Sequence, residues 1–246
     1  MLTFFRKIRR SLIESGSARK YLLYAIGEIL LVMIGILLAL QVNNWNTENE
    51  NSQTSQLYLK SLITQLDENI RYTDRHLVMC DERIATFDKL FEELNHATIE
   101  DDSLNIAMEE VYTIVGTSNL KALAFEELII SNNLVLFEKD LRDKILRYHS
   151  HILWTASHIN TNLDMARQYQ FTYFQSTDMA YEEGFKKSEN PLVKDWRSDV
   201  ASPQFLHATN FFTYRKQILQ NFKRHYARIN DRAKKLKSEL EEHLEK

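Results

Sequence analysis

Hydrophobic residues recur along this chain in three patterns. In MLTFFRKIRRSLIESG, Leu2, Phe5, Ile8, Leu12 and Ile13 share one helical face, with basic residues between them. From Tyr21 to Val42 the run YLLYAIGEILLVMIGILLALQV is apolar on every face, and only Glu28 and Gln41 are strongly polar. From Leu59 the spacing becomes heptad-like through Ile63, Leu66, Ile70, Thr73, Leu77, Cys80, Ile84, Phe87, Phe91 and Leu94. Alternating steps of four and three predict a long helix with a coiled-coil-like seam. The run HATIEDDS breaks that pattern, and short helices are expected over 103–115 and 119–130, separated by the stop Gly116-Thr117-Ser118-Asn119. A second long helix is expected over 138–182, with Leu141, Ile145, Tyr148, Ile152, Ile159, Leu163 and Ala166 inward. Ser202-Pro203 reads as cap and first turn of a last helix reaching about residue 243, with Phe212, Leu219, Phe222, Tyr226, Ile229, Ala233, Leu236 and Leu240 inward.

The apolar run behaves as a membrane anchor. Its length corresponds to about 33 Å of helix, enough for a hydrocarbon core of about 30 Å. Tyr21, Tyr24 and Trp45 stand at its ends, as amphipathic rings do at membrane interfaces. Arg6, Lys7, Arg9, Arg10, Arg19 and Lys20 precede it, and only Lys60 follows within the next 20 residues after Trp45. That bias predicts a cytoplasmic N-terminus, with the rest of the chain outside the cytoplasm. No small-x-small cleavage site follows before NNWNTENEN, which favours an uncleaved anchor over a cleaved signal peptide. The expected divisions are a basic amphipathic segment at 1–20 on the inner membrane surface, a transmembrane helix at 21–42 and a helical extracytoplasmic domain at 43–246.

Composition sharpens this picture by exclusion. With 5 Gly, 2 Pro and 1 Cys in 246 residues, turn-dense all-β folds, disulfide frameworks and Cys-based zinc cages are ruled out. The scattered glycines form neither a phosphate cradle nor a nucleophile elbow. Charge is segregated: residues 47–140 carry 19 acids against 7 bases, and residues 203–238 carry 9 bases against one acid. The last helix is therefore expected beside the first, offsetting its charge. The basic stripe Arg215, Lys216, Lys223, Arg224, Arg228, Arg232, Lys234, Lys235, Lys237 is read as internal pairing rather than a nucleic-acid surface.

The stretches FFRKIRR and KYLLYAIGEILLVMIGILLALQVNNWN resemble the start of a family of uncharacterised bacterial membrane proteins, a domain of unknown function. AFEELIISNNLVLFEKDLRDKILRY, residues 124–148, resembles a second block of that family, in which a Ser-Gly-Asn turn is expected. This chain has Ser131-Asn132-Asn133 there, and Asn tolerates positive φ better than other non-Gly residues. The resemblance implies an inner-membrane anchor and a helical periplasmic domain. It implies no activity.

Candidate chemistry is sparse. Ala25, Glu28, Val32, Gly35 and Ala39 share one face of the apolar helix. Small residues there allow close approach of another spanning helix, with Glu28 facing it. Snorkelling of Glu28 toward Arg19 or Lys20, and a proton-relay role, are the other readings. A di-iron bundle needs two Glu-x-x-His motifs, and only Glu93 with His96 fits. His151 and His158 share a helix face with His149 near, yet no carboxylate stands one turn away from either to complete a zinc site. Trp154, Tyr169, Tyr173, Phe174, Tyr181 and Trp196 are the candidate partner or ligand contacts.

The expectation is an all-α protein: one N-terminal transmembrane helix, then an elongated antiparallel helical bundle with coiled-coil-like long helices. Its function is expected to be scaffolding or assembly in the bacterial envelope, without catalysis, cofactor or metal. The lipid bilayer and other membrane proteins, or further copies of this chain, are the expected partners, and nucleic acid is not. A ligand-sensing domain that signals through a membrane partner is the alternative, and would take a small molecule.

Overall fold

The computed structural model describes residues 18–96, 107, 119–176 and 199–245. Among them the regular structure is helical: α1 Ala18–Asn95, α2 Leu123–Ile130, a 3-10 turn Asn133–Leu136, α3 Lys139–Ser176 and α4 Pro203–Leu244. The chain divides into two compact units between Ser55 and Gln56.

In the first unit the polar link at 43–53 is helical throughout. It contains no Gly or Pro, and its side chains bond within the helix: Thr47 Oγ1 donates to Asn43 O at 3.0 Å and Asn46 Nδ2 to Glu50 Oε1 at 2.8 Å. The large apolar side chains from Ile26 to Val42 are 46–67% exposed. This stretch is long and apolar enough to cross a membrane.

The second unit is a helical bundle. Every inward position expected on α3 and α4 is buried. On α1 the periodicity holds with a shift. Leu59, Leu66, Thr73, Cys80, Phe87 and Leu94 are buried as expected, but the alternate buried positions are Leu62, Asn69 and Leu90. Ile63, Ile70, Leu77, Ile84 and Phe91 are half-buried one residue further on. Both α2 and α4 pack on α1, so its buried stripe is wider than a two-helix seam. Burial pushes the Cys80 thiol up to about 11, which keeps it an unreactive core group.

The core is two apolar clusters. One gathers Phe87, Leu90, Leu163, Tyr173, Phe211, Phe212 and Leu219. The other gathers Leu62, Leu66, Phe125, Leu128, Ile145, Ile152 and Ile229. Asn69, Thr73, Thr155, His225 and Asn230 are also buried, and they bring polar atoms into the bundle interior. Asn230 Nδ2 donates to Thr73 Oγ1 at 2.7 Å, to Asp74 Oδ1 at 2.8 Å and to Ile70 O at 3.3 Å. Thr73 Oγ1 donates in turn to Asn69 O at 2.8 Å. The Asn69 amide pairs with the Lys121 peptide in both directions: Nδ2 donates to Lys121 O at 2.8 Å, and Lys121 N donates to Oδ1 at 3.0 Å.

That pairing explains a departure from the sequence reading. The short helix expected over 119–130 begins only at Leu123. Asn119 N donates to the Tyr72 hydroxyl at 3.1 Å and Lys121 is held by Asn69, so these peptide groups bond to α1 rather than to a helical turn of their own. The helix expected over 103–115 lies outside the described residues except for Ala107, which is buried. Residues 177–182, the expected end of α3, also lie outside them.

The first and last helices meet through a ladder of heptad period. Asp67, Asp74, Asp81 and Asp88 stand seven residues apart on α1, as do Lys216, Lys223, Asn230 and Lys237 on α4. They meet in antiparallel order. Lys237 Nζ lies 2.8 Å from Asp67, Asn230 Nδ2 lies 2.8 Å from Asp74, Lys223 Nζ lies 2.5 Å from Asp81, and Lys216 pairs with Asp88. Part of the segregated charge, on Lys216, Lys223, Lys234 and Lys237, thus pairs these helices, whereas Arg224, Arg228 and Arg232 of the expected stripe form no ion pair among the described residues. Arg215 departs from the expected basic stripe: it is only 3% exposed, and burial pulls its guanidinium down to about 10. At the start of α4, Ser202 Oγ accepts from Phe205 N at 3.1 Å with Pro203 at the first position, as expected.

The turn after α2 contains the one positive φ of a non-glycine residue among the described residues, Asn132 at 59°. Its neighbours are pinned to α1: Tyr58 Oη donates to Ser131 Oγ at 3.1 Å, and Asn133 Nδ2 donates to Tyr58 Oη at 2.9 Å.

Two outcomes are expected in urea titrations. Asn69→Ala removes both part-buried bonds to the Lys121 peptide and is expected to cost about 1–3 kcal/mol. A loss below about 0.5 kcal/mol would show that water replaces the amide freely. Asn132→Ala is expected to cost about 1 kcal/mol through left-handed strain, while Asn132→Gly stays within about 0.5 kcal/mol of the parent.

Candidate functional site

The face Ala25, Glu28, Val32, Gly35 and Ala39 lies on the apolar part of α1. Ala25 and Glu28 are half-buried, whereas Val32, Gly35 and Ala39 are exposed. A Cβ added at Gly35 would meet nothing within 4 Å, so the single chain leaves this strip open. The side chains of Tyr21 and Tyr24 lie outside the described residues; Trp45 is 68% exposed.

The aromatic set is sorted by helical phase. Tyr173 is fully buried and stacks on Phe211 with centroids 4.9 Å apart and planes 9° apart. It belongs to the core, which corrects its assignment as a contact residue. Phe174 is half-buried against the same cluster. Tyr169 and Trp154 remain on the surface of α3. The Tyr169 ring lies 4.5 Å from that of Tyr214 on α4. Tyr181 and Trp196 lie outside the described residues.

Trp154 sits at the centre of a ring cluster that joins α3 to α4. It stacks on His158 at 5.0 Å with planes 7° apart, and meets His225 edge-on at 5.2 Å. The His158 and His225 rings are 4.8 Å apart, and His151 lies 6.1 Å from Trp154. His149 does not join them. It packs on Phe125 of α2, and its Nε2 lies 4.0 Å from Glu126 Oε1. The histidines at 149 and 151 are two residues apart, so one points into the α2 contact and the other toward α4.

The charges around this cluster share one sign. Burial lowers the pKa of His151 first, and Arg232 and Arg228 lower it further. Burial is also the largest cause at His225, followed by His158, Arg228, His151 and Arg224. Nδ1 of His151, Nδ1 of His225 and Oγ1 of Thr155 are buried without a hydrogen-bond partner among the described residues. Among the described residues, no group of three or more His, Cys, Asp or Glu is close enough to hold a metal ion.

Two clefts that the sequence reading missed flank the Glu68–Lys121 ion pair, which closes at 3.2 Å. One, of about 330 Å³, is lined by Ser61, Thr64, Gln65, Ala124 and Glu127. The other, of about 230 Å³, is lined by Arg71, Tyr72, Arg75, Asn119 and Lys121. The available signal was the pair of polar residues Gln65 and Asn69 beside apolar seam positions. Both turn out to be buried, holding the 119–124 segment against α1.

The histidines make stability depend on pH. A pKa lowered by folding means that the unfolded chain binds more protons as pH falls below the ordinary imidazole value of about 6.5. Stability is therefore expected to decline from pH 7 toward pH 5 and through the folded-state values. His76, also lowered mainly by burial, adds to the effect. Urea midpoints across this range are expected to fall for the parent and to fall less steeply for His151→Gln with His225→Gln. Parallel profiles would mean that the cluster does not titrate with folding.

No curated protein and no solved structure matches the chain. Residues 28–123 match the model of a family described only as a family of unknown function, DUF6090. The match takes in the apolar strip from Glu28, the aspartates of the ladder and the Asn69–Lys121 pairing, and it ends before the 124–148 block. The chain is thus similar, over its first long helix and the segment bound to it, to an uncharacterised family.

Proposed function

We propose that this chain is a single-span scaffold of the bacterial envelope, and that its bundle holds partner proteins without catalysing a reaction. The observation that carries this reading is the contrast within α1. Its large apolar side chains from Ile26 to Val42 are 46–67% exposed, whereas beyond Leu59 the same helix is built into a packed bundle. Lipid is the partner that suits the first stretch.

The six basic residues before the apolar helix favour an N-terminus in the cytoplasm and a periplasmic bundle anchored in the inner membrane. The strip Ala25, Glu28, Val32, Gly35, Ala39 favours contact with another spanning helix or a second copy, because small side chains let backbones approach. A sensor domain is the second reading. The two clefts beside the Glu68–Lys121 pair favour it, since polar groups converge there.

Photocrosslinking in native membranes, with probes placed along α1 and α3, separates these readings. Reproducible crosslinks to a protein are expected. A small molecule that co-purifies with the domain, with no protein crosslink, would favour the sensor. For the membrane strip, Gly35→Leu is expected to weaken self-association or helix pairing by tenfold or more, about 1.4 kcal/mol. An unchanged oligomeric state in detergent and in bilayers would remove the strip from the interface.

A further inference from the structure

The two edges of α4 carry different bases. Toward α1 they are lysines, and Lys216, Lys223 and Lys237 each face an aspartate. Toward α3 they are arginines: Arg224, Arg228 and Arg232, four residues apart and exposed. Among the described residues none of these three forms an ion pair, and Arg224 reaches only Asn221. Among the described residues of α3 and α4, counter-charge is scarce around them. Asp231 is the one carboxylate on α4 between Pro203 and Lys237, and α3 has none from Lys144 to Leu163. The His225 ring, which meets Trp154 and His158 of α3, stands between Arg224 and Arg228 on α4, and Arg228 and Arg232 lie close enough to α3 to act on His151.

The same face continues as exposed aromatic and apolar surface. Trp154, Met165 and Tyr169 are 53%, 46% and 43% exposed. Trp154 and Tyr169 both touch rings of α4, at His225 and Tyr214, so they line the α3–α4 seam. Met165 stands three turns from Trp154 in the same phase. From Trp154 to Tyr169 the seam runs about 22 Å. One end of this face is therefore guanidinium-rich and the other apolar.

Trp, Tyr, Met and Arg are the residues enriched where proteins dock, while Lys is depleted there. A guanidinium also takes a carboxylate through two parallel hydrogen bonds. The opposite edge of α4 already receives an acidic helix, α1, at heptad spacing. We propose that the α3–α4 face docks an acidic amphipathic helix of a second protein, with carboxylates on Arg224, Arg228 and Arg232 and apolar side chains on Trp154, Met165 and Tyr169. This names a partner chemistry for the scaffold reading and rests on it.

The test uses the full chain in nanodiscs and a fluorescein-labelled peptide of about 20 residues, long enough to be helical, with Glu on one face and Leu on the other. Anisotropy at low salt is expected to show saturable binding. Arg224→Gln with Arg228→Gln and Arg232→Gln is expected to weaken it tenfold or more and flatten its salt dependence. Replacing the same three arginines by lysine keeps the charge and is expected to restore only part of the affinity. Trp154→Ala is expected to weaken binding about tenfold with the salt dependence retained. Circular dichroism melts establish that each variant is folded. The proposal is overturned by an absence of binding, by variants that bind as the parent does, or by stronger competition from phosphatidylglycerol vesicles or a single-stranded oligonucleotide. Loss of this proposal would leave crosslinked partners elsewhere on the chain, whereas loss of the scaffold reading would leave none.

Discussion

The bundle depends on buried amides that tie its helices together through hydrogen bonds. Asn230, Thr73 and Asn69 form one chain of hydrogen bonds, from the last helix through the first to the Lys121 peptide. Asn69 also reaches the Tyr148 hydroxyl at 3.4 Å, which brings in α3. Sliding α4 by one heptad would keep apolar side chains against apolar side chains but would take the Asn230 amide away from Thr73 and Ile70 O. A stranded buried donor or acceptor costs about 1–3 kcal/mol, a large share of a typical domain's stability. The apolar clusters therefore supply cohesion, and the amides select the arrangement.

The charge ladder acts differently. Its rungs are partly solvated, with Asp81 and Asp88 more than half exposed, so each adds little to stability. Its value lies in direction and period. Aspartates and lysines repeat every seven residues, and Asn230 takes the place of a lysine opposite Asp74. The ladder and the amide chain share that residue, so charge pairing and hydrogen bonding specify one antiparallel register. The lysine edge of α4 is consumed by the fold, which leaves the arginine edge with little counter-charge of its own.

Much of this was legible in the sequence. Apolar periodicity located the inward faces of α3 and α4 because their stripes are continuous, and the segregated charges gave the pairing of first and last helices. The left-handed conformation of Asn132 was expected from the Ser-Gly-Asn turn that the family resemblance implies there, with Asn in place of Gly. The α1 stripe was legible only in part. A hydrophobic pattern steps over Asn69, so the reading settled on Ile63 and Ile70, which flank the true seam. The start of α2 was misplaced for the same reason: the partner of the Lys121 peptide is a side chain from another helix, and no local signal announces it.

The candidate sites divide along the same line. By itself the sequence determined properties that follow from local composition and period: an apolar helix long enough to span a membrane, an all-α bundle, a long last helix capped by Ser202 and complementary charge. Only the tertiary structure decided that Tyr173 is core while Trp154 and Tyr169 stay on the surface. It also decided that His149 parts from His151, and that His158, distant in sequence from His225, shares a ring cluster with it. These outcomes depend on which neighbour meets a given helical face. A helix fixes the angle at which each side chain leaves its axis, but the partner found at that angle comes from packing between segments far apart in the chain.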